Sequence, residues 1–210
     1  MGSQPRIGVL AVQGAVAEHE RALADVCALP VRVRDEAGLE GLDGLVIPGG
    51  ETTTLRRVAG DSGLIAALRA QRRAGLPILG TCAGLIALAD EILDGDPVLV
   101  GGLDIGVRRN AYGRQVASFE APVEIQGIGD GLVEAVFIRA PVIERVGAGV
   151  RVHATHRGHP VAVSDGPLLG LSFHPELTPD RRFHAWLVGR ARAYGACTAA
   201  HTKEGLGVGA

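Results

Sequence analysis

Apolar residues run without interruption through residues 7–12, crowd residues 42–47 and 76–79, and return at 168–173. Runs of four to six apolar positions bounded by Gly or Pro are what strands buried on both faces look like. A shorter β-branched stretch at 31–34 adds a further strand. Between the runs lie Ala-, Leu-, Glu- and Arg-rich segments. Their composition predicts helices over 14–29, over 54–74 with a break near Gly60 to Gly63, over 83–93, and over 180–194. Strands alternating with helices predict a parallel sheet covered on both faces.

The middle of the chain follows another rhythm. From about residue 98 to 163 the β-rich stretches are short and separated by Gly101-Gly102, Gly113, Gly127 to Gly131, Gly147 to Gly149 and Gly158. Hairpins fit this spacing better than crossovers. The expected fold is therefore α/β and three-layered: a mostly parallel sheet flanked by helices, with an antiparallel β insertion. With 210 residues and no internal repeat or linker, residues 1–195 read as one domain. Gly and small residues beyond Ala196 predict a disordered tail over 196–210.

Composition narrows the chemistry. Net charge is -2, so no electrostatic excess argues for nucleic acid. Aromatic residues make up 3%, which leaves the core to Ala, Val, Leu and Ile. Lys203 is the only lysine, so a phosphate-binding Gly-Lys-Ser/Thr loop is excluded, and a Schiff-base lysine would have to sit in the tail. Cys27, Cys82 and Cys197 form neither a disulfide framework nor a zinc ribbon. No basic leader precedes the first apolar run, and no run approaches the ~18 residues of a membrane span. These features predict a cytoplasmic protein without a membrane association.

The chemistry concentrates at Gly80-Thr81-Cys82-Ala83-Gly84, where a buried strand gives way to a helix. G-x-C-x-G is the thiol form of the nucleophile elbow. Such a turn lifts the side chain above the sheet edge and needs Gly on either side, because a Cβ there would collide. The helix N-terminus favours an anion, and the N–H of Ala83 is placed to receive an oxyanion. Cys27 and Cys197 have no such setting and read as ordinary thiols. A base is offered by His174 in Ser172-Phe173-His174-Pro175-Glu176, directly after the last buried strand and so at the same carboxyl edge. Glu176, two residues on, shares a face with it in an extended segment and is placed to orient the imidazole. Pro48-Gly49-Gly50-Glu51 ends another strand. Its backbone can approach a substrate closely, so Gly49 and Gly50 join Ala83 as oxyanion donors.

Two rival sites are weaker. His153, His156 and His159 are spaced by three, but Gly158 and Pro160 break any helix that would align them, so a surface hairpin is expected and no metal. Arg108-Arg109 and Arg181-Arg182 read as solvated charge pairs.

Taken together, the elbow, the Pro-Gly-Gly-Glu turn and the late His-Pro-Glu resemble the class I, or triad, glutamine amidotransferases. Longer strings narrow the resemblance to the glutaminase subunits of pyridoxal 5′-phosphate synthases. They are Gly8 to Ala15 with Glu18-His19, Pro48 to Thr54, Gly80 to Ile86, Arg109 to Gln115 with Ser118 to Glu120, Phe137 to Pro141, and Ser172 to Thr178. Thr52 stands where that family has Ser and keeps the hydroxyl; Asp165-Gly166 stands where it has Gln-Gly. The resemblance implies hydrolysis of L-glutamine to glutamate and ammonia by Cys82, His174 and Glu176. It also implies substrate contacts from Gly50, Glu51, Thr52, Arg109, Ile138 and Arg139. The implied partner is a TIM-barrel synthase subunit that takes up the ammonia; no cofactor is implied for this chain. Gln13, at the end of the first strand, is the candidate for a residue that senses that partner. Three other readings share parts of the pattern. The Arg109 to Gln115 string stands against a glutaminase serving another synthase. The complete triad stands against a silent scaffold. The Phe173-His174-Pro175-Glu176 ending stands against a cysteine peptidase of related fold.

Overall fold

The computed structural model describes residues 4–51, 55–57, 63–109 and 118–205. Seven strands form the main sheet in the order β10-β11-β12-β4-β3-β1-β2. They are β1 (Arg6–Leu10), β2 (Leu29–Val33), β3 (Gly44–Ile47), β4 (Ile78–Thr81), β10 (Arg151–His156), β11 (His159–Asp165) and β12 (Leu168–Leu171). The strands from β12 through β2 pair in parallel; β10 and β11 continue the sheet antiparallel at one edge. A small sheet of β5 (Ala89–Ile92), β6 (Leu103–Arg108) and β9 (Val142–Val146), and a hairpin of β7 (Ser118–Ile125) and β8 (Gly131–Ile138), complete the β structure.

β3, β4 and β12 are buried at every position, as continuous apolar runs require. Side-chain alternation sends the two halves of each run into different cores. Leu45, Ile47, Ile78 and Leu168 face a cluster with helices α2 (Leu64–Arg73) and α3 (Ala83–Leu88). Val46, Leu79, Leu169 and Leu171 face the other, with α1 (Val16–Asp25), α4 (Arg182–Gly205) and the β7–β8 hairpin. That is the three-layer α/β arrangement expected. Among the described residues no helix is long and apolar enough to cross a membrane.

Three expectations need correction. The helix expected over 83–93 stops at Leu88, and Ala89–Ile92 is strand β5. A carbonyl of its last turn is claimed from outside, since that of Ala87 accepts the N–H groups of Val100 (2.8 Å) and Gly101 (3.0 Å), and just beyond the helix the Asp90 carboxylate accepts that of Gly102 (2.6 Å). The central insertion is only partly separate, because β10 and β11 belong to the main sheet, and β5 pairs with β6 in parallel. Finally, α4 runs on to Gly205, so residues 196–205 continue the final helix instead of forming a disordered tail. Residues 196–204 contain neither Gly nor Pro to stop its hydrogen-bond ladder. Residues 206–210 lie outside the described residues.

Candidate functional site

The strand order β12-β4-β3-β1 sets the carboxyl ends of four parallel strands side by side. His174 follows β12, Cys82 follows β4, Gly49 follows β3 and Gln13 follows β1. Cys82 has φ 49° and ψ -103°, outside the regions an L-residue favours. Its N–H donates to the Leu171 carbonyl (2.8 Å) and its carbonyl accepts the N–H of Ile86 (3.2 Å), so neighbouring elements hold the turn in place. The flanking glycines are obligatory for the reason read from the sequence. A Cβ on Gly84 would lie 1.9 Å from the Ile47 carbonyl oxygen, and one on Gly80 2.5 Å from that of Gly84.

The imidazole of His174 is buried beside the thiol. Its Nδ1 lies 2.8 Å from Glu176 Oε1, which makes Nδ1 the protonated nitrogen toward the carboxylate and turns Nε2 to the reaction side. Nε2 makes no hydrogen bond to a described residue, and the Cys82 sulfur lies 3.7 Å from the Ile138 carbonyl oxygen. Burial opposes the imidazolium, but the Cys82 sulfur and the Glu176 carboxylate outweigh it and hold the His174 pKa up at about 10. Burial pushes the Glu176 carboxyl up, and its hydrogen bond to His174 with the approach of His19 at 3.4 Å more than reverses this, leaving it well below the usual carboxylate range.

The Pro48-Gly49-Gly50 turn lies against this pair. A Cβ on Gly49 would sit 2.4 Å from His174 Cε1 and 3.2 Å from Cys82 Cβ. The N–H of Gly49, expected to serve an oxyanion, instead donates to Thr81 Oγ1 (3.1 Å). That is a correction: in this arrangement the donor is already engaged. The N–H of Ala83, which opens α3, has no acceptor within its own helix. Gly50 has φ 145°, a conformation that side chains rarely adopt, and the N–H of Glu51 donates to Gln13 Oε1 (2.8 Å).

The expected substrate residues separate into two groups. Arg139 Nη2 donates to Glu51, and Ile138 faces the thiol, so these three line one flank of the triad. Arg109 is tied elsewhere, 2.6 Å from Asp96 and with its N–H on Asp94 (2.7 Å). Thr52 and residues 110–117 lie outside the described residues. Two of the three spaced histidines are taken up separately. His153 bonds the Gln126 carbonyl and Ser164 Oγ, both at 2.7 Å, while His156 stacks on Phe119 and Phe137. Among the described residues no group of three His, Cys, Asp or Glu could hold a metal.

Against known proteins, the model of the SNO glutamine amidotransferase family matches residues 9–192. The chain belongs to that family. Relatives of this amidotransferase include the pyridoxal 5′-phosphate synthase subunit PdxT of Frankia casuarinae, 52% identical over 195 residues, covering 92% of this chain and 98% of that protein. The PdxT subunit of Streptomyces avermitilis is 53% identical over 191 residues, covering 90% of this chain and 95% of that one. A crystal structure of a glutamine amidotransferase superposes with TM-score 0.83 at 44% identity, covering 89% of this chain and 98% of that one.

Sequence reasoning missed three polar residues of the amidotransferase site: Thr81, which holds Gly49, and His19 and His184, which stand behind Glu176. His19 was visible inside a quoted string, but nothing in the string says where its ring points. His184 carries no local signal on its helix.

Exposure and setting give opposite orders of cysteine reactivity. Cys82 is buried, while Cys27 and Cys197 are exposed. A general alkylating agent is expected to modify Cys27 and Cys197 first. A diazo-ketone analogue of glutamine should reverse that order and label Cys82, because a base and an oxyanion donor stand beside that sulfur. Peptide mapping by mass spectrometry reads both, and analogue label found chiefly on Cys27 or Cys197 rejects the assignment.

Proposed function

We infer that this chain hydrolyses L-glutamine to glutamate and ammonia through Cys82, His174 and Glu176, and hands the ammonia to a synthase subunit making pyridoxal 5′-phosphate. The observation that carries the mechanism is the His174–Glu176 contact of 2.8 Å beside a cysteine held at φ 49°. In the first half-reaction the Cys82 sulfur adds to the carboxamide carbon, and the oxyanion is received by backbone N–H groups of Ala83 and Gly50. As the tetrahedral adduct collapses, His174 gives its proton to the nitrogen, the C–N bond breaks, and ammonia leaves a γ-glutamyl thioester. In the second, His174 takes a proton from water, whose oxygen adds to the thioester; the C–S bond breaks and glutamate departs. Glu176 keeps the ring oriented throughout.

The Glu51–Arg139 pair supports an amino-acid substrate. Both side chains are more than half exposed, so their mutual attraction is weak and easily exchanged. A carboxylate matches an α-ammonium group and a guanidinium an α-carboxylate. Arg139, and not the engaged Arg109, is the residue this geometry favours for the carboxylate.

The partner follows from the product. Ammonia freed into neutral water becomes ammonium, which is no nucleophile, so the reaction is useful where a synthase receives it directly. The reading takes that partner to be a TIM-barrel subunit and the compartment to be the cytoplasm. The engaged Gly49 N–H supports a further step: the Gly49-Gly50 turn, linked to Gln13 through Glu51, changes conformation when the synthase docks. The chain alone should then show weak glutaminase activity, with a clear rise in kcat and little change in KM on adding the synthase. Steady-state glutamate release with and without the partner tests it. Equal kcat in both rejects the gating; no glutamate in either rejects the activity.

A further inference from the structure

Behind the triad lies a buried polar chain that the reaction so far leaves unused. The second oxygen of Glu176, Oε2, is shut off from water, and His19 Nε2 stands 3.4 Å from it with both side chains fully buried. The same Nε2 is 3.3 Å from Thr81 Oγ1, the hydroxyl that accepts the N–H of Gly49. On its far side, His19 Nδ1 lies 3.0 Å from Nε2 of His184, and the two rings tilt at 50°. His19 is carried by α1 and His184 by α4, so two helices converge on one carboxylate oxygen.

A buried carboxylate oxygen without a donor is strongly unfavourable, and a carboxylate free to rotate would not hold an imidazole in one orientation. The proton positions follow from the partners. Burial, and then the neighbouring His19, pull the His184 pKa down to about 3, so that ring is neutral. If it donates from Nε2 to His19 Nδ1, the proton of His19 lies on Nε2, facing Glu176. The atom then left over is His184 Nδ1, buried and unpartnered; as a lone pair it is tolerated more readily than a bare N–H would be.

We propose that His19 is a positioning residue of the amidotransferase: its Nε2–H holds Oε2 of Glu176, and through it the orientation of His174, with His184 fixing the ring of His19 from behind. This rests on the triad reading given above and deepens it. His19 touches neither substrate nor sulfur, so its loss should act on turnover and not on glutamine binding.

The two amides separate the roles of the ring. In His19→Gln the amide nitrogen can replace Nε2 and reach the carboxylate. In His19→Asn the shorter side chain keeps a polar group near Nδ1 and falls short of it. Measured on the full chain with its synthase present, His19→Asn should lower kcat about 10–100-fold, the size of a hydrogen bond to a charged group. KM should stay within about 2-fold, and His19→Gln should recover most of the rate. In a Glu176→Gln background, His19→Asn should have little further effect, because two residues acting through one contact are not additive. Thermal unfolding of each variant separates a folding defect from this coupling. His19→Asn at wild-type kcat, or an equal loss with and without Glu176→Gln, overturns the proposal while leaving the triad standing. Glu176→Gln at wild-type kcat overturns the triad reading and this proposal with it.

Discussion

His174→Asn is expected to lower kcat for glutamine hydrolysis at least about 10²–10⁴-fold, the usual contribution of general acid–base catalysis. In the proposed mechanism the ring gives a proton to the departing nitrogen and takes one from water, and among the described residues no other imidazole lies beside Cys82. His19 is fully buried, and its Nε2 is taken up by Glu176 (3.4 Å) and Thr81 (3.3 Å). Glu176→Gln should be milder, since in the proposed mechanism the carboxylate orients and does not itself transfer a proton. The same variants should still bind the synthase, because both side chains lie beneath the surface. Stopped assays of glutamate release over an hour measure the loss. Turnover of His174→Asn within 10-fold of wild type would mean that another group is the base.

Gly84→Ala is expected to be strongly destabilising. The added methyl would meet a backbone oxygen, that of Ile47, at 1.9 Å, and a strand in the middle of the sheet cannot move aside. Forced overpacking of this kind should cost at least about 3 kcal/mol. For a chain of this length that corresponds to a Tm lower by about 10 °C, or to failure to accumulate folded protein. Gly189 on α4 makes the contrast, since a Cβ there meets nothing within 4 Å and its φ lies outside the left-handed range. Gly189→Ala should therefore raise stability by about 0.5–1 kcal/mol through helix propensity alone. Differential scanning calorimetry of the two variants checks the pair. A Gly84→Ala protein melting with the wild type would show that the elbow relaxes more freely than its contacts imply.

Local pattern was sufficient wherever the physical cause was local. A residue with neighbours on both faces must be apolar, so β3, β4 and β12 announce themselves as unbroken runs. The elbow announces itself because the turn excludes a Cβ at two fixed offsets, and His174 and Glu176 because a two-residue spacing already brings them to one face. Helix ends were less legible. Nothing between Ala83 and Leu93 forbids a longer helix; Val100 and Gly101 end it by bonding Ala87 from a distant part of the chain. At the other end, small residues read as a loose tail form the last turns of α4.

What the sequence by itself determined is therefore the layered parallel fold, the turn that carries Cys82, and the pairing of His174 with Glu176. The strands, the turn and the pair are each written in residues within a few positions of one another. The tertiary structure alone decided which arginine stands beside Glu51, that Thr81 takes the Gly49 N–H, and that His19 and His184 meet behind Glu176. These contacts join positions 32 to 165 residues apart. These bonds form only once the sheet order has set the strand ends in a row, and no spacing along the chain records that order.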